Sequence, residues 1–440
     1  METRSAKRRK VWFSENYEGD IETLCNNTTD RISDLPDPIL HHILFLLPIK
    51  SIAQTSVLSK RWRSLWSSFP DLDFTSINTI STSPLNLINS SKRSSMDFIS
   101  QVLSLRDKHS DLRTLRFRAR LSFSGLNGLI RCAIRHKVQE LDVEVATEDY
   151  FNFPRGVIKS ESLRVFKLKS RYPGFRLLPS SVMAGGFRSL HTLSLSLVIL
   201  YDQSSLSDLF TESSFPRLKK LNLDACFGLK TLKISCRALE DLTLENCFQL
   251  NGLDISCAKL EKLRITSCFD AYYDKSWVKI NAPYLRIVVW EYNAITGTSS
   301  LQNLTSLHEA SVGFFLLHED ISTEKLRSVC DLLCGLSHAQ TLTLESQCIE
   351  ILSNTNNLSH LVVHPFNNLK ILELHTGFNK NNIPGLATLF RSSPALDTLI
   401  LKIINDYKIE RRGYVGYGYV QGRAILGISN PNFEAISKPP

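Results

Sequence analysis

One six-residue spacing, L-x-x-L-x-L, constrains this chain more than any other feature. Copies start at Leu112, Val138, Leu163, Leu190, Leu218, Leu239, Leu260, Leu285, Leu307, Ala339, Leu369 and Leu396, at intervals of 21 to 32 residues. They explain a leucine excess of 66 in 440 residues against only 3 Met. In an extended segment, side chains two apart share a face, so each copy sends two apolar side chains to one side. One such strand cannot bury them. Successive copies stacked in parallel can, giving a continuous core under a curved sheet.

The spacing is that of leucine-rich repeats and predicts an α/β solenoid over residues 96–403. A second frame, Leu229-Leu232-Ile234 and Leu250-Leu253-Ile255, predicts that the backs of the tight coils are also extended. Cys226, Cys247 and Cys268 recur every 21 residues, and Cys236 and Cys257 do the same in the second frame. No His or carboxylate recurs with them, and no CxxC pair occurs among the 10 Cys, so the pattern reads as buried thiols rather than zinc or disulfides. No metal or cofactor is expected.

The x positions of each copy are expected to line the concave face. Their charge alternates along the sheet. Arg116 and Arg118 are followed by Glu140 and Asp142, then Lys167 and Lys169; farther on, Asp241 and Glu245 are followed by Lys262 and Arg264. Later rungs are Thr341/Thr343/Glu345, Ile371/Glu373/His375 and Thr398/Ile400/Lys402. A patterned face suits a protein partner. A nucleic-acid groove would be continuously positive, because phosphate neutralisation dominates that affinity.

Net charge is +9, yet residues 1–29 and residues 30–74 are each neutral. Only 106–120 resembles a basic patch, so nucleic acid is not the expected partner. The longest uncharged apolar stretch near the start, Ile39 to Ile49, has 11 residues with two His and a Pro, too short for a membrane span. No secretory signal is visible, and the chain reads as soluble and intracellular. Walker A, GxSxG and HExxH patterns do not occur, and no catalytic residue is proposed.

Before the repeats lies a short helical stretch. Ser33 or Asp34 is positioned to cap a helix, with Pro36 and Pro38 in its first turn. Ile39, Leu40, Ile43, Leu44 and Leu47 make one apolar stripe, ended by Pro48. Ile52, Ala53, Val57 and Leu58 make a second, and Trp62, Leu65 and Trp66 a third. So small a module cannot bury all of these, and leftover apolar surface implies a partner.

Leu35-Pro36, Ile43-Leu44-Phe45-Leu46-Leu47-Pro48 and Val57-Leu58-Ser59-Lys60-Arg61-Trp62-Arg63-Ser64-Leu65-Trp66 resemble an F-box. Ser68-Phe69-Pro70-Asp71-Leu72-Asp73-Phe74 is similar to the ending seen in plant F-box/leucine-rich-repeat proteins. The resemblance implies that Leu35, Pro36, Ile39, Leu40, Ile43, Leu44, Leu47, Pro48, Val57, Leu58, Trp62, Leu65 and Trp66 bind a Skp-type adaptor. Through it come the cullin and RING subunits of an SCF ubiquitin ligase, while the repeats hold an unknown protein substrate. Residues 365–402 resemble the start of the FBD module of such proteins, although nothing recognisable of that module follows residue 403.

The expected organisation is an arm over 1–29, the F-box over 30–76, a linker over 77–95, the solenoid over 96–403 and a tail over 404–440. Lys7-Arg8-Arg9-Lys10 fits a nuclear import signal as well as a plain basic tail, so nucleus and cytoplasm are both expected locations. Arg411-Arg412-Gly413-Tyr414 onward has a composition that can stack on RNA, but its shortness suits a flexible end. Two functions compete: a ligase substrate-recognition subunit, and an interaction scaffold outside any ligase.

Overall fold

The leucine pairs decide where the strands fall. In the computed structural model all twelve copies are parallel strands of one thirteen-stranded sheet. The structure describes residues 32, 34–77, 91–146, 151–170, 175–176, 185–198, 209–271, 275–315, 322–353, 365–376 and 382–403. The chain divides into two units, residues 1–66 and 67–440.

The first unit carries helices α1 (Asp37–Phe45) and α2 (Ile49–Thr55), and most of α3 (Lys60–Ser68). Pro36 and Pro48, in extended backbone, are the N-caps of α1 and α2, and neither helix has a side-chain cap. The cap expected at Asp34 is not used, because the residue before a proline is kept out of helical backbone and Leu35 precedes Pro36. Ser33 lies outside the described residues. Asp37 sits in the first turn of α1, where a negative charge suits the helix dipole. Arg61 ties α3 to that turn through Asp37 Oδ1, at 2.9 Å from Nε and 2.6 Å from Nη2, and through the Leu35 carbonyl.

In the second unit the strands, in chain order, begin with β1 (Asp71–Asp73), β2 (Thr114–Arg120), β3 (Glu140–Ala146), β4 (Phe151–Asn152), β5 (Val165–Ser170), β6 (Phe175–Arg176) and β7 (Thr192–Ser196). The middle coils add β8 (Phe210–Thr211), β9 (Lys220–Asp224), β10 (Thr231–Ser235), β11 (Asp241–Glu245), β12 (Gly252–Ser256) and β13 (Lys262–Thr266). The last are β14 (Trp277–Asn281), β15 (Ile287–Asn293), β16 (Thr298–Gln302), β17 (Glu309–Phe314), β18 (Thr341–Glu345), β19 (Ile371–Thr376) and β20 (Thr398–Ile403). The large sheet runs β1-β2-β3-β5-β7-β9-β11-β13-β15-β17-β18-β19-β20. The second leucine frame forms a back sheet, β16-β14-β12-β10-β8.

Register follows the leucines. Leu221, Leu242, Leu263 and Val288 stand in one row, and Leu223, Leu244, Ile265 and Trp290 in the next, all buried. Five coils pass through a left-handed residue, Leu197, Ala225, Asn246 and Ser267 just past their strands and Tyr292 one residue before the end of β15, with φ of 48° to 57°. For non-glycine residues that conformation costs about 1–2 kcal/mol each. It turns the next side chain inward, and Val198, Cys226, Cys247, Cys268 and Asn293 are buried there. Asn293 occupies the cysteine position with an amide that accepts from Cys268 N–H at 2.9 Å and donates to the Ile265 carbonyl at 2.8 Å.

Wider coils return through helices: α4 (Ser91–Ser104), α5 (Phe123–Arg135), the short α6 (Arg155–Ile158), α7 (Thr323–Gly335), α8 (Ser346–Ser353) and α9 (Ile383–Arg391). Ser122 and Ser322 cap α5 and α7 through hydrogen bonds from Gly125 and Lys325 N–H. Two features depart from the composition reading. The Asp71-Leu72-Asp73 segment is the edge strand of the large sheet, in register with Thr114-Leu115-Arg116. Helix α4 starts at Ser91, inside the stretch whose Ser/Thr/Asn content reads as linker.

Candidate functional site

Two surfaces carry the candidate residues, one in each unit. In the first, short helices leave apolar side chains outside. Of the thirteen residues singled out for adaptor binding, Leu40, Leu44, Trp62, Leu65 and Trp66 are buried in the chain itself, and Leu35 and Ile43 are half-buried. Pro36, Ile39, Leu47, Pro48, Val57 and Leu58 are exposed. Val57 and Leu58, at the α2–α3 junction, are 82% and 65% exposed. Phe45 and Leu46, at the α1–α2 junction, are also exposed, Leu46 at 72%. Neither is among the thirteen residues that the sequence reading singled out. Their signal was position: both fall off the i, i+4 stripe that Leu40 and Leu44 define.

In the second unit, sheet register brings the concave charges together. Arg116 on β2, Asp142 on β3 and Lys167 on β5 stand in one row, and Arg118, Glu144 and Lys169 in another. Arg118 Nε lies 2.9 Å from Glu144, and Arg116 lies 3.8 Å from Glu140 and 3.9 Å from Asp73. Burial pushes the Asp142 carboxyl up, with Lys167 and Arg116 pulling the other way. Asp241 on β11 is flanked in register by Lys220 and Lys262, with Lys220 at 3.9 Å. Glu245 and Arg264 stand on neighbouring rows of the same strands. The alternating rungs therefore neutralise one another across strands, and each exposed pair is worth roughly 0–1 kcal/mol.

The basic residues of 106–120 do not share one surface. Arg106 is buried, Arg113 pairs with Asp71, and Arg116 and Arg118 face carboxylates on the concave side.

Sequence reasoning did not single out a denser cluster at the other end of the sheet. His375 on β19 places Nδ1 2.9 Å from Glu345 on β18 and Nε2 2.6 Å from Glu373, and Lys402 on β20 pairs with Glu373. Burial pulls the His375 pKa down, but the bonds to Glu373 and Glu345 outweigh it and the imidazole sits above its ordinary 6.5. Lys402 and His375 hold Glu373 below its ordinary 4.5. Three successive rungs carrying Glu, His with Glu, and Lys were the available signal.

Cys226, Cys247 and Cys268 are buried free thiols, with Cys226 and Cys247 donating to backbone carbonyls at 3.4–3.7 Å. Among the described residues no group of three His, Cys, Asp or Glu is arranged to hold a metal ion. Among them, too, no helix is long and apolar enough to cross a membrane.

With these surfaces defined, comparison with known proteins is informative. Residues 32–73 match the F-box domain family, and residues 105–237 and 234–417 match the At1g61320/AtMIF1 LRR domain. The chain is 49% identical over 415 residues to the F-box/FBD/LRR-repeat protein At4g03220 of Arabidopsis thaliana, covering 94% of this chain and 80% of that protein. It is 29% identical over 394 residues to F-box/LRR-repeat protein At5g02910 of the same plant, covering 85% and 72%. F-box/LRR-repeat protein 25, also from Arabidopsis thaliana, is 34% identical over 218 residues, covering 48% of this chain and 74% of that protein.

Proposed function

The chain belongs to the plant F-box/LRR-repeat proteins, and from that premise we propose that it is the substrate-recognition subunit of an SCF-type cullin-RING ubiquitin ligase. The carrying observation is the exposure of Ile39, Phe45, Leu46, Leu47, Val57 and Leu58 within twenty residues of the F-box. Large apolar side chains crowded on a small helical module fit a surface that a Skp-type adaptor covers. Each one fully buried there would contribute roughly 1.5–3 kcal/mol before the cost of association.

The mechanism is proximity. The adaptor joins the chain to cullin and RING subunits, the solenoid holds a protein substrate, and a substrate lysine is brought near a ubiquitin-carrying cysteine on another subunit. The gain is effective concentration, so this chain needs no nucleophile or general base of its own. The unknown substrate would meet the concave sheet, whose cross-paired charges favour a partner with a matching pattern of both signs. Nucleus and cytoplasm both suit such a subunit.

The test uses the Val57→Asp/Leu58→Asp double variant of the full chain. Two exposed sites should leave the melting temperature unchanged. Affinity for a recombinant Skp-type adaptor, measured by calorimetry, should fall by about 100-fold or more. Unchanged affinity would sink the interface. Retained adaptor binding without ubiquitin transfer in a reconstituted cullin-RING reaction containing captured cellular substrates would favour the scaffold reading instead.

A further inference from the structure

The first coil of the solenoid contains a cavity of about 610 Å³ between the C-terminal end of α4 and the outer face of α5. Its size is that of a small-molecule site. Among the described residues four basic side chains line it, Arg106, Lys108, Arg135 and His136, and no acidic side chain does.

The nearby carboxylates are turned elsewhere. Asp107 accepts from the Ser110 hydroxyl and the His109 N–H, Asp111 pairs with Lys137, and Asp71 pairs with Arg113. Arg106 is the telling residue. It is only 6% exposed, and its two terminal nitrogens donate to the backbone carbonyls of Phe69 and Asp111 rather than to a carboxylate. Its Nε is buried with no hydrogen-bond partner among the described residues. Asp107, Asp71 and Asp111 act on it electrostatically without a carboxylate hydrogen bond, and a buried guanidinium with one donor unsatisfied is costly. Burial pulls the Arg106 pKa below its ordinary value, with Asp107, Asp71 and Asp111 pulling the other way.

The remainder of the wall fits an organic body. Leu103 and Leu129 supply apolar surface, and Gly125 and Gly128 keep the α5 side of the cavity low. A Cβ added at Gly128 would meet nothing within 4 Å, and the helical backbone there holds no left-handed strain, so the space beside it is open.

We propose that this cavity binds a small organic phosphate, its phosphoryl oxygens against Arg106, Lys108 and Arg135 and its carbon skeleton over Leu103 and Leu129. Guanidinium donors match phosphate oxygens in geometry, and three permanent cations favour a dianion over a monocarboxylate. The site shares no residue with the adaptor surface, so its occupancy can be tested whatever becomes of the ligase assignment.

The experiment titrates the full-length chain by calorimetry with inorganic phosphate, pyrophosphate, glucose 6-phosphate, AMP, glucose and citrate. At least one of glucose 6-phosphate and AMP should bind saturably and at least tenfold tighter than inorganic phosphate, while glucose is silent. Gly128→Leu fills the cavity, and Lys108→Glu/Arg135→Glu reverses its rim. Each should weaken that binding at least tenfold with no change in melting temperature. The proposal is overturned if neither organic phosphate binds at millimolar concentration, if inorganic phosphate or citrate binds as tightly, or if either variant leaves binding intact. A phosphoserine peptide run beside them and binding more tightly than both organic phosphates would overturn the small-molecule reading in favour of a protein ligand.

Discussion

The two regions of this chain use the same apolar residues to opposite ends. In the repeats, Leu242 and Leu244 are covered because Leu221 and Leu223 lie on one side and Leu263 and Ile265 on the other. In the F-box, Leu40 and Leu44 are buried while Leu46, Val57 and Leu58 stand in solvent. What differs is not hydrophobicity but the supply of neighbours. A coil in a stack is covered by the next coil, whereas three short helices run out of interior.

The sharpest way to break this comparison is to remove one leucine from each region. Leu242→Ala should cost about 2–5 kcal/mol of stability, because the stacked coils cannot collapse onto the void. Leu46→Ala should change stability by no more than about 0.5 kcal/mol. Urea titrations of both variants measure this. Equal losses would mean that Leu46 is covered in the free chain, and the contrast between the regions would disappear.

A smaller effect tests whether the middle coils are as closed as their leucines. Cys226, Cys247 and Cys268 lie fully buried, while Cys132 and Cys334 are half-buried on helices. Burial raises the Cys334 thiol to about 11; burial and the Cys247 contact push Cys268 well up, the Cys247 contact and burial push Cys226 well up, and the bonds from Cys226 and Cys268 hold Cys247 down. At pH 8 a thiol reagent should modify the buried ladder only as fast as the protein unfolds, and of the described cysteines Cys132 and Cys334 should react first. Cys247→Ser should cost about 1–3 kcal/mol, since a hydroxyl in that slot demands a stronger hydrogen bond than the carbonyls at 3.4–3.6 Å offer. Rapid labelling of the ladder in folded protein would show that the coils part locally.

Much of the solenoid was legible because its signal is redundant. Each L-x-x-L-x-L fixes both a strand and the face it buries, and twelve copies agree. Segments without a repeat were harder. Asp71-Leu72-Asp73 has a single apolar residue between two acids, and only pairing with β2 makes it a strand. The left-handed turns at Leu197, Ala225 and Tyr292 were hidden because those residues rarely adopt such backbone, and the coil imposes it. On the functional surfaces, sequence placed the charges on the concave face but could not say which cancel. That depends on register across strands, as between Arg118 and Glu144. Leu44 and Leu46 are alike in residue type, and only their place on or off the first-helix stripe separates them.

The smallest effect concerns the two ends of the concave face. The β2–β5 end pairs permanent cations with carboxylates, whereas the β18–β20 end pairs carboxylates with a histidine. His375 titrates above its ordinary 6.5 in the folded chain, so its contribution is fully present below pH 6.5 and is lost as pH rises through the raised value. Glu373 titrates below its ordinary 4.5, so its contribution is present above pH 4.5 and is lost on acidification through the lowered value. The groups facing His375 are Glu345, Glu373 and, through Glu373, Lys402. The difference in urea midpoint between wild type and His375→Gln should therefore shrink as pH rises from 6 toward 9. Its size should stay below about 1 kcal/mol, because these side chains remain partly exposed. Arg118→Gln at the other end should show no such slope over the same range. A pH-independent difference for His375→Gln would mean that the imidazole is held by shape rather than by charge, and the two ends of the face would be electrostatically alike.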